Sequence, residues 1–244
     1  MPVYQGGKTR IGKEIYDTIK HFERKFNWKA SSFFEPFCGM LGVGIFAARE
    51  KRNVIACDVN KDLILMWQAL QQGWMPRKNE FTKAEYERYK YSQVHSPTRG
   101  FVGICCAFGG IFFAGYRIQA NKGGTNNSVV QFKKALEKNI LPYLKHITFL
   151  SAQSYDEFEP EGATIYADPP YHKNDYGSTN ELFCFDHKHF WNVMRKWSKH
   201  NLVFISEYVA PSDFVCVWKK DISLKKKQKT EKLFMHSIHL RKFV

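Results

Sequence analysis

Residues 31–60, "SSFFEPFCGMLGVGIFAAREKRNVIACDVN", hold two short apolar runs with a helical stretch between them. The first, SSFFEPFCG, halts at Pro36 and Gly39; VGIFAAREK reads as a helix; NVIACDVN is a second buried strand that ends in Asp58. Strand, helix and strand joined by short turns form the pattern of an open parallel sheet, and KDLILMWQALQQG continues it as the next helix. Upstream, Ile11, Ile15, Ile19, Phe22 and Phe26 follow at steps of four, four, three and four, which predicts one face of an amphipathic helix over residues 8–27.

The alternation stops at about residue 73 and resumes near 147. Between these points two helical stretches, near 82–95 and 130–145, flank a loop rich in Gly, Asn and Arg, GGIFFAGYRIQANKGGTNNS (109–128), and the whole reads as an insertion. HITFLSA, ATIYAD and NLVFISEY restore the strand pattern, with a helix DHKHFWNVMRKWSK before the last of them. DFVCVWKKDIS and EKLFMHSIHLRKF predict an antiparallel hairpin around the charged loop KKKQKTEK. Ligands of such sheets collect outside the carboxyl ends of the strands. Glu35 with Pro36, Asp58, Tyr155 and Asp168 all stand at strand ends and are expected to face one cleft.

A chain of 244 residues can bury one sizeable core, and its formal net charge of +14 favours a polyanionic partner. The N-terminus has no apolar signal-peptide core, and the longest apolar window, FVGICCAFGGIFFAGY (101–116), is broken by four glycines and falls short of a bilayer span. A soluble, cytoplasmic protein with no membrane association is the expectation. Six cysteines without a CxxC pattern read as reduced, mostly buried thiols, and the nine histidines show no metal-ligand spacing, so no metal is expected.

In FEPFCG the glycine lets backbone approach a ligand closely at the mouth of the next helix. The glycines of GMLGVG (39–44) have the wrong spacing for a dinucleotide fingerprint, which leaves a nucleoside ligand without a pyrophosphate. Asp58, 19 residues beyond Gly39, can accept both hydroxyls of a ribose. GGKTR (6–10) fails the spacing of a phosphate loop, yet Gly7 and Lys8 at a helix start still suit an anion or a ligand carboxylate. The plain reading of each motif alone is a βα turn with a solvated acid.

YADPPYH (166–172) ends a buried strand with an acid and two prolines that stiffen the loop. An exocyclic amino group on a nucleobase is a poor nucleophile because its lone pair is drawn into the ring. Two acceptors on its N–H bonds push it toward a tetrahedral geometry: the Asp168 carboxylate can be one and the Pro169 carbonyl, oriented by Pro170, the other. Tyr171 can stack on a base taken out of the duplex. Without the other strand-end groups, DPPY would read as a rigid turn.

YQGGK (4–8), FFEPFCGMLGVG (33–44), ACDVN (56–60) and YADPPY (166–171), in this order, resemble the Dam-type (D12 class) DNA adenine N6-methyltransferases. ISEYVAP (205–211) and TEKLF (230–234) are similar to segments of phage-borne members. The resemblance implies a Rossmann-like α/β sheet of the S-adenosylmethionine methyltransferase kind, with catalytic residues 1–72 and 147–244 and an inserted helical target-recognition domain at 73–146. It implies a cofactor site from Tyr4, Gly7, Lys8, Glu35, Pro36, Phe37, Gly39, Asp58, Tyr155 and Asp168, and a catalytic loop of Asp168, Pro169, Pro170 and Tyr171. In one departure from the family pattern Ser154 stands where many members carry an acid, although a hydroxyl can still bond the cofactor's adenine.

The implied reaction moves a methyl group from S-adenosylmethionine to adenine N6 of double-stranded DNA, by a monomer or weak dimer in a phage or prokaryotic host cell. Arg99, Tyr116, Arg117, Asn121, Lys122, Asn126 and Asn127 of the insertion are of types that reach phosphates and base edges, against a plain reading as a solvated loop. Two rivals stand beside it: methylation of another amino group (cytosine N4, RNA adenine or protein glutamine), and a catalytically silent DNA-binding module.

Overall fold

The computed structural model describes residues 7, 8, 10–117, 127–171, 185–224 and 227–240. Seven strands form one sheet: β1 (Phe33–Glu35), β2 (Val54–Ala56), β3 (Ile147–Phe149), β4 (Thr164–Ala167), β5 (Leu202–Ser206), β6 (Phe214–Leu224) and β7 (Lys227–His236). Their order across the sheet is β3-β2-β1-β4-β5-β7-β6. The first five are parallel, and β7 runs antiparallel to both β5 and β6. Strand order reverses between β1 and β4, so the crevice of the sheet opens at the carboxyl ends of these two strands.

Helices α1 (Gly12–Lys25), α2 (Gly44–Arg49), α3 (Lys61–Gln71) and α7 (His187–Trp197) connect or cover the parallel strands. Phe33 belongs to one buried apolar cluster with Ile15, Ile19, Val54 and Trp67, whereas Phe34 belongs to another with Ile165, Phe190, Trp197 and Val203. Successive strand residues thus point to opposite layers, which is why β1, β4 and β5 read as unbroken apolar runs.

Among the described residues of 73–146 lie three α-helices, one more than the sequence predicts: α4 (Lys83–Tyr91), α5 (Pro97–Cys105) and α6 (Ser128–Asn139), followed by a 3-10 turn at Leu141–His146. Ser96 caps α5, its hydroxyl accepting from Arg99 N–H at 3.1 Å, and Pro97 opens it, a start signal that the glycines within the helix conceal. Those glycines serve packing. A Cβ at Gly100 would lie 2.2 Å from the Asp62 carbonyl oxygen on α3, and one at Gly103 would lie 2.4 Å from the Phe112 ring. Phe81, Tyr86, Phe101 and Phe132 from this stretch share the cluster of Phe33 and Val54, so one core runs through these helices and the sheet.

The C-terminal hairpin departs from expectation in extent. β7 already begins at Lys227, within the stretch expected to loop, and Lys220 pairs with Glu231 and Asp221 with Thr230 in its ladder. The Thr230 hydroxyl donates to Asp221 at 2.6 Å, a cross-strand bond that suits these polar positions to a ladder. Only Leu233–Met235 pair with β5, so the outer part of the hairpin extends beyond the sheet as a two-stranded ribbon.

Candidate active site

The turn after β1 is held from three sides. Cys57 N–H donates to the Glu35 carbonyl at 3.0 Å and Cys38 N–H to the Cys57 carbonyl at 2.8 Å, while Trp67 Nε1 donates to the Gly39 carbonyl at 2.9 Å. Gly39 adopts φ 44°, which glycine accepts readily. Leu41, buried at φ 58°, carries the strain that a side chain meets in this region. The buried Glu35 carboxylate accepts from Gly44 N–H at 3.1 Å and Val43 N–H at 3.4 Å, bracing the start of α2.

Burial pushes the Glu35 carboxyl up to about 8, against the pull of the two N–H groups, with the charges of Asp168 and Asp58 adding to the rise. An unfolded chain ionises the same group near 4.5, so between there and about 8 the folded protein keeps a proton that the unfolded chain has lost. Stability is therefore expected to fall as pH rises through this window, by at most about 1.4 kcal/mol per pH unit, and then to level off. Denaturant melts of wild type and Glu35→Gln across the window measure it: the wild-type-minus-variant difference should decline with pH, and a rising difference contradicts the assignment.

Asp58 closes the same turn from β2. One of its oxygens accepts from Gly39 N–H at 3.0 Å and the other from Asn60 N–H at 2.9 Å. Each oxygen keeps acceptor capacity, and the partly exposed side chain can take two hydroxyls of a ligand. Burial raises its carboxyl, opposed by those two bonds. Lys8 reaches the site from the segment before α1, whose first turn hangs on the Lys8 carbonyl through Ile11 N–H at 3.0 Å. A Cβ at Gly42 would press to 3.1 Å on Lys8 N, so the glycine lets the two loops meet.

Asp168 follows β4 directly across the crevice from Glu35. Its Oδ1 is buried and pairs with the Lys8 ammonium at 2.7 Å. Burial raises the Asp168 carboxyl, and Lys8 counteracts it. Pro169 is buried and Pro170 exposed. The Lys8 ammonium lies 4.7 Å from the Tyr171 ring centre, and the Tyr171 hydroxyl donates to Glu231 at 3.1 Å. Tyr208 meets Tyr171 edge-on at 4.6 Å between ring centres.

The predicted cofactor residues thus divide. Lys8 meets Asp168, and Asp58 meets Gly39 in the turn that Glu35 braces; Gly7, Pro36 and Phe37 are chain neighbours of these residues, and Tyr4 lies outside the described residues. Tyr155 is buried in an aromatic group with Phe37 at 5.0 Å, Phe185 at 5.8 Å and Phe190 at 5.6 Å, which gives it a packing task beneath Phe37. Ser154 bonds the Asp156 carboxylate, whose other oxygen lies 2.9 Å from His189 Nε2. An acid is therefore present at this corner two residues later than the family pattern puts it.

Two residues expected to contact DNA bond within the protein. Arg99 is spent within the protein: its guanidinium pairs with the buried Asp62, and it donates to the Tyr89 carbonyl at 2.8 Å and the Lys90 carbonyl at 3.2 Å. The Tyr116 hydroxyl donates to the Phe81 carbonyl at 2.8 Å while its ring packs on Tyr86. Asn127 likewise caps α6, accepting from Val129 N–H at 2.9 Å. Arg117 is exposed; Asn121, Lys122 and Asn126 lie outside the described residues. Glu231 and Tyr208 join the site unforeseen, their only sequence signal being the TEKLF and ISEYVAP segments.

The doubly wound parallel sheet closed by an antiparallel hairpin is Rossmann-like, with Glu35 ending β1 and Asp58 and Asp168 following β2 and β4. Residues 4–104 match the family model of the D12 class N6 adenine-specific DNA methyltransferases. The Type II methyltransferase M.CviBI of Paramecium bursaria Chlorella virus NC1A is 24% identical over 190 residues, covering 71% of this chain and 70% of that protein. Among solved structures, TrmN from Thermus thermophilus has a TM-score of 0.38 at 13% identity, covering 89% of this chain and 48% of that chain, so the present chain spans about half its length. The magnesium protoporphyrin IX methyltransferase of Synechocystis PCC 6803, solved with bound SAM, has a TM-score of 0.39 at 10% identity, covering 93% and 81%. Over residues 4–104 the chain is thus similar to the D12 class, and the family model and the viral relative together support S-adenosylmethionine-dependent methylation of adenine in DNA. Among the described residues no cluster of His, Cys, Asp or Glu could hold a metal ion, and no helix is long and apolar enough to cross a membrane.

Proposed function

We propose that the crevice between β1 and β4 binds S-adenosylmethionine on the β1–β2 side and an adenine drawn out of the DNA helix on the β4 side. The observation that carries this reading is the Asp168 carboxylate at the crevice: its Oδ1 is buried and pairs with Lys8 at 2.7 Å, and its oxygens keep lone pairs for a further donor. It suits an incoming amino group. Asp58 would hold the ribose, and Lys8 would pair with the cofactor's carboxylate. Bound cofactor supplies an electrophilic methyl group to whatever nucleophile is aligned with it.

Asp168 and the Pro169 carbonyl would accept the two N–H bonds of the adenine amine, and Tyr171 would bound the base. Catalysis is then positioning and exclusion of water, with no covalent link to the protein. The amine loses its proton after methylation has made it cationic, so Asp168 need not be a strong base. Residues 73–146 would form the target-recognition part, with Arg117 on DNA, on the strength of the exposed Arg117 and the chain's charge of +14.

Incubation with methyl-labelled S-adenosylmethionine and unmethylated DNA, followed by digestion to nucleosides, tests the reading. N6-methyladenine confined to one recurring short motif is expected. Label in N4-methylcytosine, RNA or protein would transfer the same loop to another acceptor, and cofactor binding without any transfer would overturn it.

A further inference from the structure

We infer that Glu231, on β7, is a positioning residue for the methyl-transfer loop. The inference rests on the functional reading above and adds a residue from a strand outside the parallel sheet. Its carboxylate is nearly enclosed, with 12% of the side chain exposed. Oε2 accepts from the Tyr171 hydroxyl at 3.1 Å and lies 3.9 Å from the Lys8 ammonium, while Oε1 accepts from the Tyr208 hydroxyl at 3.5 Å. Lys8 thereby stands between two carboxylates, Asp168 at 2.7 Å and Glu231, with the Tyr171 ring alongside.

Prolines stiffen the loop backbone at 169 and 170, but they leave the Tyr171 side chain free to rotate. Glu231 restricts that freedom by accepting from the hydroxyl, and its charge limits how far Lys8 can be drawn toward Asp168. A hydrogen bond to an ionised partner is stronger than a neutral one, which suits a side chain that must keep one rotamer as a base arrives. Lys232, next in the strand, donates to the Tyr208 carbonyl at 3.0 Å, and Lys229 lies 4.5 Å from the Tyr208 ring, so the ribbon grips Tyr208 as well. The register Lys220↔Glu231 places this residue where β7 leaves the sheet, at the level of the crevice.

The test compares wild type, Glu231→Gln, Glu231→Ala, Tyr171→Phe and the Glu231→Ala/Tyr171→Phe double variant for single-turnover methylation of DNA and for cofactor affinity by calorimetry. Loss of a charge-assisted hydrogen bond predicts a decrease in turnover on the order of 10- to 100-fold for Glu231→Ala, with cofactor affinity retained. Gln, which can still accept from the hydroxyl, should restore most of the rate. In the double variant the two effects should not add, because one removes the partner of the other. Additive losses, an equal collapse of cofactor affinity and rate, or an unchanged rate in Glu231→Ala would each overturn the inference. Wild type devoid of adenine methylation would overturn the functional reading and this role with it, an outcome distinct from failure in the variants alone.

Discussion

Asp168→Asn is expected to lower single-turnover methyl transfer on the order of 100- to 1000-fold, the scale lost when one preorganised polar partner of a reacting group is removed. Asn keeps the shape but loses the charge, and its amide N–H groups would face the N–H groups of the adenine amine. Stability should change little, because a buried carboxylate raised by desolvation is replaced by a neutral group while Lys8 keeps Glu231 at 3.9 Å. Cofactor affinity, measured by calorimetry, should survive since Asp58 and the turn at Gly39 are untouched. Near-normal transfer by a folded Asp168→Asn protein would remove this carboxylate from the mechanism.

Arg99→Ala is expected to destabilise the fold by about 3 kcal/mol, because it strands the buried Asp62 carboxylate and frees two carbonyls at the end of α4. Asp62 retains His95 Nδ1 at 3.0 Å and Ser96 N–H at 2.9 Å, which keeps the loss below that of a fully orphaned charge. For a chain of this size the melting temperature should drop on the order of 10 °C. The same variant distinguishes the structural task from a DNA contact. A phosphate-binding arginine would leave the melting temperature alone and reduce the salt slope of DNA binding by about one.

Periodicity and stop signals are local properties, and they made the sheet legible. Ile11, Ile15 and Ile19 mark α1; the runs ending at Glu35, Asp58 and Asp168 mark strand ends, and their order places all three acids at one edge. The hidden helix α5 shows the limit of local reading. Gly100 and Gly103 weaken helix propensity, and what justifies them is the close approach of Asp62 and Phe112, residues 38 and 9 positions away.

Long side chains between residues 73 and 146 posed a similar difficulty. Arg99 and Tyr116 have the chemistry of DNA contacts, but composition carries no information on whether a guanidinium or a hydroxyl is already satisfied by a partner distant in sequence. Asp62 and the Phe81 carbonyl supply those partners only once α3, α4 and α5 pack together.

From the chain alone follow the parallel sheet, the acids at its strand ends, and the DPPY loop whose prolines limit its backbone wherever it is placed. Those features depend on neighbours within a few residues, where sterics and hydrogen-bonding capacity act directly. Tertiary structure decided which charges meet: Lys8 with Asp168 across 160 positions, Tyr171 with Glu231 across 60, and Arg99 with Asp62. Such pairs form because burial makes an unpartnered charge costly, and that cost exists only after the fold has excluded water from both groups.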